Sequence, residues 1–339
     1  MMSSIGVLGA GSWGTALARV LSRAGHEVAV WSVDPEEVRS LSETRRHRNL
    51  PGAVIPEDIR FTADIREACA GREILICAVP SVYVRSTMEK ARPYIPPRQL
   101  IADAAKGMEA GTLMTLSEVI REELNRDGEH GGIRTAALSG PTHAEEVALD
   151  LPTTIVSASA DADAARQVQE AFRNTCLRVY TNPDIRGVEL CGALKNIIAL
   201  AAGISAGLGF GDNTKAAIIT RGLAEITRLG LKMGCRPETF SGLAGMGDLI
   251  VTATSRHSRN NRCGMLIGQG YSPEAAVREV GMVVEGINAL PAAMALAGKY
   301  GAEMPIAAAA DAVINRGKDP RETVTELMGR EYKAEAGGL

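Results

Sequence analysis

Ile5-Gly6-Val7-Leu8-Gly9-Ala10-Gly11-Ser12-Trp13-Gly14 is the stretch on which the fold turns. A short apolar run leads straight into glycines spaced G-x-G-x-x-G, and Thr15 to Arg23 continues with helical character. Each glycine answers a physical need. Gly9 permits a tight turn out of a strand, Gly11 lets a pyrophosphate approach bare backbone, and Gly14 lets helix and strand pack closely. The helix start then offers unpaired N–H groups and the positive end of a dipole to phosphate. Alone the spacing is weak evidence, but here it lies between a strand and a helix near the N-terminus, the context that dinucleotide binding requires. Gly9, Gly11, Ser12, Trp13 and Gly14 are therefore candidate cofactor contacts.

Working outward, strand and helix patterns alternate. Glu27 to Trp31 reads as a second strand. Glu73 to Val79 is a nearly unbroken apolar run closed by Pro80, as in a strand buried on both faces. Leu100 to Ala102, Thr135 to Leu138 and Thr154 to Val156 are further strands. This order predicts an α/β Rossmann-type N-terminal domain with a mostly parallel sheet. After Thr181-Asn182-Pro183-Asp184 strand patterns fade, and apolar residues recur at helical spacing from Val188 to Ile204 and from Ala216 to Leu229. The expected organisation is a dinucleotide-binding domain over 1–185, an all-α substrate and catalytic domain over 186–332, and an unstructured tail over 333–339.

Composition narrows the function classes. The 339 residues are 45% hydrophobic and 23% charged, as in an ordinary globular protein. A formal net charge of -3 and 4% aromatics argue against a nucleic-acid partner. The apolar run Ile197 to Ile204 contains glycine and reads as too short to span a bilayer. No basic leader precedes the first strand, and the six scattered cysteines read as reduced, buried thiols, which together suggest a cytoplasmic protein. Five histidines without paired spacing give no metal site.

A second informative stretch is Leu190-Cys191-Gly192-Ala193-Leu194-Lys195-Asn196, followed by Gly207-Leu208-Gly209-Phe210-Gly211-Asp212-Asn213-Thr214-Lys215. Lys195 and Asn196 stand side by side on an otherwise apolar helix. A buried lysine is expensive unless something uses it. About 20 positions beyond the glycines, Asp34 falls near where a dinucleotide site expects an acid for a ribose hydroxyl. Asp34-Pro35-Glu36-Glu37 equally reads as a helix start, with Asp34 as N-cap and Pro35 at N1.

The chain resembles the soluble bacterial NAD(P)-dependent glycerol-3-phosphate dehydrogenases from about Ile5 to beyond Pro305. The motifs that carry this are the fingerprint through Ala18, Ala105-Lys106-Gly107, Ser139-Gly140-Pro141-Thr142 and Gly192 to Asn196. Gly207 to Lys215, Gly245-Met246-Gly247-Asp248-Leu249, Thr254 to Asn260 and Val284-Glu285-Gly286 complete them. The resemblance implies reduction of dihydroxyacetone phosphate to sn-glycerol 3-phosphate with NAD or NADP, in support of phospholipid synthesis. It implies Lys195 as the proton-transfer lysine, Lys106 at substrate and nicotinamide, and Asp248 holding the catalytic lysine. Without it, Gly247-Asp248 reads as a helix N-cap. The resemblance also implies substrate contacts from Gly140, Thr142, Asn196, Ser258, Arg259 and Asn260. Arg259 suits phosphate through its fork of donors. Val33, Asn49, Ala144, Arg259, Val283 and Glu285 are implied at the cofactor.

There are departures. Val33 stands where related chains often carry a basic residue for the 2′-phosphate of NADPH, which weakens the case for NADPH and leaves Arg39, Arg45, Arg46 or Arg48 to compensate. Asn49 replaces an aromatic residue and His143 a phenylalanine; His143 reads as structural. Two other readings compete. Dehydrogenases of 3-hydroxy acids or 6-phosphogluconate share this design but use Lys-x-x-x-Asn, and a non-catalytic nucleotide sensor should have lost site residues. The Ala/Gly/Met-rich helices of the second half suit either a homodimer surface or the domain core.

Overall fold

The computed structural model describes residues 2–331 and Ala334, so the expected tail at 333–339 lies, Ala334 apart, outside the described residues. The chain divides into two compact units. The first comprises 1–105 and 116–185, and the second 106–115 and 186–339.

The first unit is built on a sheet of eight strands: β1 (Ser4–Leu8), β2 (Glu27–Trp31), β3 (Arg60–Thr62), β4 (Ile74–Cys77), β5 (Leu100–Asp103), β6 (Arg134–Ser139), β7 (Thr153–Ala158) and β8 (Leu177–Asn182). Their spatial order is β3-β2-β1-β4-β5-β6-β7-β8. Every neighbouring pair is parallel except β6 with β7. The order reverses between β1 and β4, and such a switch point is where open α/β sheets take their ligands. The apolar run expected over 73–79 is a strand only over Ile74–Cys77, and the N–H of Ala78 makes one more bond to the Leu8 carbonyl beyond its end. β3 and β8 were not anticipated. β3 is three residues long, and β8 alternates buried Leu177 and Val179 with exposed Arg178 and Tyr180 at the edge of the sheet.

The second unit is helical among its described residues. Its longest element, Ile185–Gly207, buries 18 of its 23 residues, including Glu189, Lys195 and Asn196. A helix apolar all round belongs in a core. The expectation that the apolar run around Ile197 to Ile204 is too short to cross a membrane needs correction. This helix passes by length and composition, with a mean hydropathy of 1.5, but 83% of that window is buried inside the protein.

The Arg259–Gly268 helix lies unusually close to this lysine helix. A Cβ at Gly203 would fall 2.1 Å from the Asn261 carbonyl oxygen, and one at Gly264 would fall 2.1 Å from that of Leu200. Gly207 and Gly268 show the same approach, at 2.2 Å from the Met265 and Ile204 oxygens. Only glycine lets two backbones meet this way. Elsewhere in the unit, Glu225 on the Asp212–Lys232 helix is 2% exposed and caps another helix, accepting from the N–H groups of Ile306 at 2.7 Å and Ala307 at 3.3 Å. Burial pushes its carboxyl up to about 7 against the opposing pull of those donors.

Two outcomes are expected. Gly203→Ala should lower unfolding free energy in urea by roughly 1–3 kcal/mol, the usual cost of overpacking; an unchanged midpoint would contradict the close contact. Glu225 binds its proton more tightly folded than unfolded, so its contribution makes stability fall as pH rises from the ordinary carboxylate range toward about 7. Glu225→Gln should flatten that slope in denaturation curves taken across the interval.

Candidate active site

The chemistry of the second unit gathers on one carboxylate. Asp248 opens the Asp248–Thr254 helix, whose N-cap is Gly247, so its side chain does not serve as the cap. It is 1% exposed. Its Oδ2 accepts from Lys106 Nζ at 2.7 Å, and its Oδ1 accepts from Lys195 Nζ. The second partner of Lys195 went unseen in the sequence. Thr252, one turn along from Asp248, accepts from Lys195 Nζ at 2.7 Å and donates its hydroxyl proton to the Asp248 carbonyl at 2.6 Å. The i, i+4 spacing of Asp248 and Thr252 on one helix face was the available signal.

Lys195 sits in the middle of the lysine helix and is 5% exposed. Burial pushes its ammonium down to about 7, with Asp248 pulling the other way and Lys106 adding to the fall. Burial disfavours the charge on Asp248 too, but Lys106 and Lys195 together outweigh it and hold the carboxyl below its ordinary range. The result is a buried lysine that can exchange a proton near neutrality beside a carboxylate that stays ionised. Lys106 lies three residues beyond β5, in the segment Lys106–Thr115 that belongs to the second unit. Met108 anchors that segment by joining the core of the helical unit and bridging to Thr115.

Asn196 and Asn260 form a second cluster. Asn260 Nδ2 donates to Asn196 Oδ1 at 3.0 Å, and Asn260 Oδ1 accepts from the N–H of Gly286 at 2.8 Å. Asn196 Nδ2 donates back to the Gly192 carbonyl at 3.2 Å. Gly286 is needed here, since a Cβ would lie 2.6 Å from the Asn196 carbonyl oxygen. These amides clasp three helices together. Ser258 caps the Arg259–Gly268 helix through the N–H of Asn261 at 3.2 Å, and no acidic residue occupies its first turn. Arg259 is half-buried there, whereas Arg256 and Arg262 are exposed. Asn261 completes the join by donating to the Ala253 carbonyl at 2.9 Å, beside Thr252. Val283 and Glu285 lie half-buried at the start of the Glu285–Tyr300 helix.

The first unit holds the other expected residues. Gly9 has φ +115°, and a Cβ on Gly14 would lie 2.0 Å from the Gly9 carbonyl oxygen, so turn and close packing are both real. Nothing lies within 4 Å of where a Gly11 Cβ would be. The Ser12–Arg23 helix has no side-chain cap and no acidic residue in its first turn. The buried Nε1 of Trp13 has no hydrogen-bond partner. An open approach, unclaimed helix N–H groups and an orphaned donor fit a dinucleotide pyrophosphate. Gly140 is buried with φ +154°, Thr142 donates to its carbonyl at 3.1 Å, and Ala144 opens the short helix that His143 precedes. Val33 is 67% exposed, while Asn49 is half-buried and donates its N–H to His47 Nδ1 at 3.1 Å. Asp34 takes the capping reading, accepting from the N–H of Glu36 at 2.9 Å. None of the six cysteines, all among the described residues, is in a disulfide.

A nucleotide turn at the switch point and a buried lysine tuned toward neutrality are the parts of a pyridine-nucleotide dehydrogenase. Comparison with known proteins agrees. The model for the N-terminus of NAD-dependent glycerol-3-phosphate dehydrogenase matches residues 4–165, and that for its C-terminus matches residues 184–325. The chain belongs to this family. It is 64% identical over 334 residues to a glycerol-3-phosphate dehydrogenase (NAD(P)+) of Lactobacillus delbrueckii subsp. bulgaricus, covering 98% of this chain and 99% of that one. It is 50% identical to the Agathobacter rectalis enzyme over 100% of this chain and 99% of the other. The crystal structure of glycerol-3-phosphate dehydrogenase from Coxiella burnetii superposes with a TM-score of 0.91 at 38% identity, over 97% of this chain and 99% of that one.

Proposed function

We propose that this chain interconverts dihydroxyacetone phosphate and sn-glycerol 3-phosphate with NAD(P)H, and that Lys195 is its proton-transfer residue. The observation that carries the assignment is the shared carboxylate: Lys195 and Lys106 both donate to Asp248, in a pocket where Lys195 is buried and its ammonium is destabilised. A dinucleotide held by its pyrophosphate at the glycine fingerprint would supply the hydride from its nicotinamide. The rest falls to the protein's own groups.

As the carbonyl carbon of the ketone gains hydride, its oxygen takes up negative charge and needs a proton. Lys195 Nζ, protonated, donates it as a general acid; in the reverse direction the neutral amine accepts it from the alcohol. Asp248 and Thr252 fix the direction of that Nζ. Lys106, on the other carboxylate oxygen, is assigned to the substrate oxygens as well. Arg259, in the first turn of its helix, is assigned to the phosphate, with Asn260 and Ser258 holding that helix in place. Gly140 and Thr142 are assigned to the glycerol phosphate as well. Ala144, Val283 and Glu285 are assigned to the cofactor.

The adjacency of Lys195 and Asn196 favours this substrate over 3-hydroxy acids. A cytoplasmic homodimer serving phospholipid synthesis fits the same reading, and exposed Met246, Ile250 and Met265 on the helical unit offer apolar surface for a second copy.

Initial rates of cofactor oxidation with dihydroxyacetone phosphate test the activity, and absence of turnover with either nicotinamide would refute it. Lys195→Ala should cost about a thousandfold in kcat, the scale of general acid catalysis, while the thermal melt stays cooperative. Substantial turnover in that variant would remove Lys195 from the mechanism. The pH profile carries a sign. With the Lys195 ammonium destabilised to about 7, kcat/KM for ketone reduction should fall as pH rises past that value, and alcohol oxidation should rise. Profiles bending in the same direction for both reactions would contradict the assignment.

A further inference from the structure

The register of β1 and β2 sets Leu8 opposite Trp31, and the N–H of Gly9 donates to the Trp31 carbonyl at 2.9 Å. Ser32, the next residue of β2's exit, therefore lies beside the first glycine of the fingerprint. The residue is 5% exposed, and its hydroxyl does two things. It donates to Glu37 Oε2 at 2.6 Å and accepts from the N–H of Asp34 at 3.2 Å. His47, also buried, lies by the backbone of Ala10 inside the fingerprint and near the charges of Glu37 and Arg48. Strand end, phosphate turn, first helical turn and imidazole thus converge, and Glu37 is the carboxylate held among them.

In an open nucleotide-binding sheet, the adenosine ribose lies at the end of the second strand, where an acid accepts its hydroxyls or a basic group accommodates a 2′-phosphate. The sequence offered Asp34 either for that task or as a helix cap. Its carboxylate instead faces its own helix, which leaves Glu37. The basic residues nearby have other engagements. Arg39 pairs with Glu36 on the exposed face of the helix. Arg45 donates to the Ile59 carbonyl at 2.8 Å and stacks over Phe61 at 5.8 Å. Arg46 and Arg48 are exposed, and Val33 brings no charge. A 2′-phosphate would carry roughly two negative charges toward a carboxylate already fixed by a buried hydroxyl, and like charges at short range repel strongly.

We propose that Glu37, held by Ser32, is a specificity-determining residue that selects NADH over NADPH. This rests on the dinucleotide reading of the fingerprint and deepens it. Calorimetric titration of the full chain with NADH and with NADPH tests it without turnover. NADH should bind at least about tenfold tighter than NADPH. Glu37→Gln, which keeps the size and the bond to Ser32, should narrow that ratio by strengthening NADPH. Val33→Arg, at an exposed position that leaves the core untouched, should narrow it as well. Equal or tighter binding of NADPH to the unaltered protein would overturn the proposal, as would a ratio unmoved by Glu37→Gln in a variant with an unchanged melt. Loss of NADPH binding in Arg48→Ala, with NADH unaffected, would transfer selection to that arginine and overturn it too. Failure of both cofactors to bind would instead overturn the fingerprint reading itself.

Discussion

An ammonium buried in an apolar helix is the constraint from which the helical unit is organised. Lys195 cannot be placed there alone, because removing a charge from water costs several kcal/mol. Asp248 answers that cost only in part: burial still wins on the lysine, while on the aspartate the two lysines win over burial. The asymmetry is what makes the cluster chemically useful. Had Asp248 faced one lysine, the pair would approach a neutral ion pair. With two cations on one carboxylate, the more buried of them is the one ready to release its proton.

Holding that cluster requires backbone contact at a distance few residues allow. Asp248 and Thr252 come from one helix, Lys195 from another, and Lys106 from a segment that leaves the sheet and is pinned by Met108. Asn261 ties the Arg259–Gly268 helix to the end of the aspartate helix, and the Asn196–Asn260 clasp ties it to the lysine helix. These polar contacts are buried and mutually satisfied, the condition under which such networks add order rather than cost stability. Glycines 203, 207, 264 and 268 make the geometry possible.

Much of this was legible in the sequence. The fingerprint located the switch point of the sheet because turn, phosphate approach and close packing each need glycine at a fixed place. Lys195 declared itself by being the wrong residue for an apolar helix. Other features were hidden for physical reasons. β8 lies at an edge, where alternation is diluted by exposed Arg178 and Tyr180. Lys106 reads as the end of a sheet strand, and nothing local reveals that its segment packs with the helices. Asp34 shows how one short pattern serves two chemistries, since a cap and a ribose ligand need the same side chain. Only the contact with the Glu36 N–H decides between them. Thr252 was missed because its partner, Lys195, is distant in sequence and hydroxyls on helices are common.

The glycine contact also fixes a length. Asn196 meets Asn260, Leu200 meets Gly264 and Ile204 meets Gly268, all at the same offset of 64 residues. The two helices therefore run side by side in one direction and in step, and Lys195 and Arg259 occupy matching places on them. With both backbones in contact, neither helix can slide to accommodate a longer or shorter molecule. On the proposed reading, with Lys195 on the substrate oxygen and Arg259 on its phosphate, the distance between the two groups is set by a rigid gauge, so discrimination by chain length would come from the scaffold rather than from the walls of a pocket.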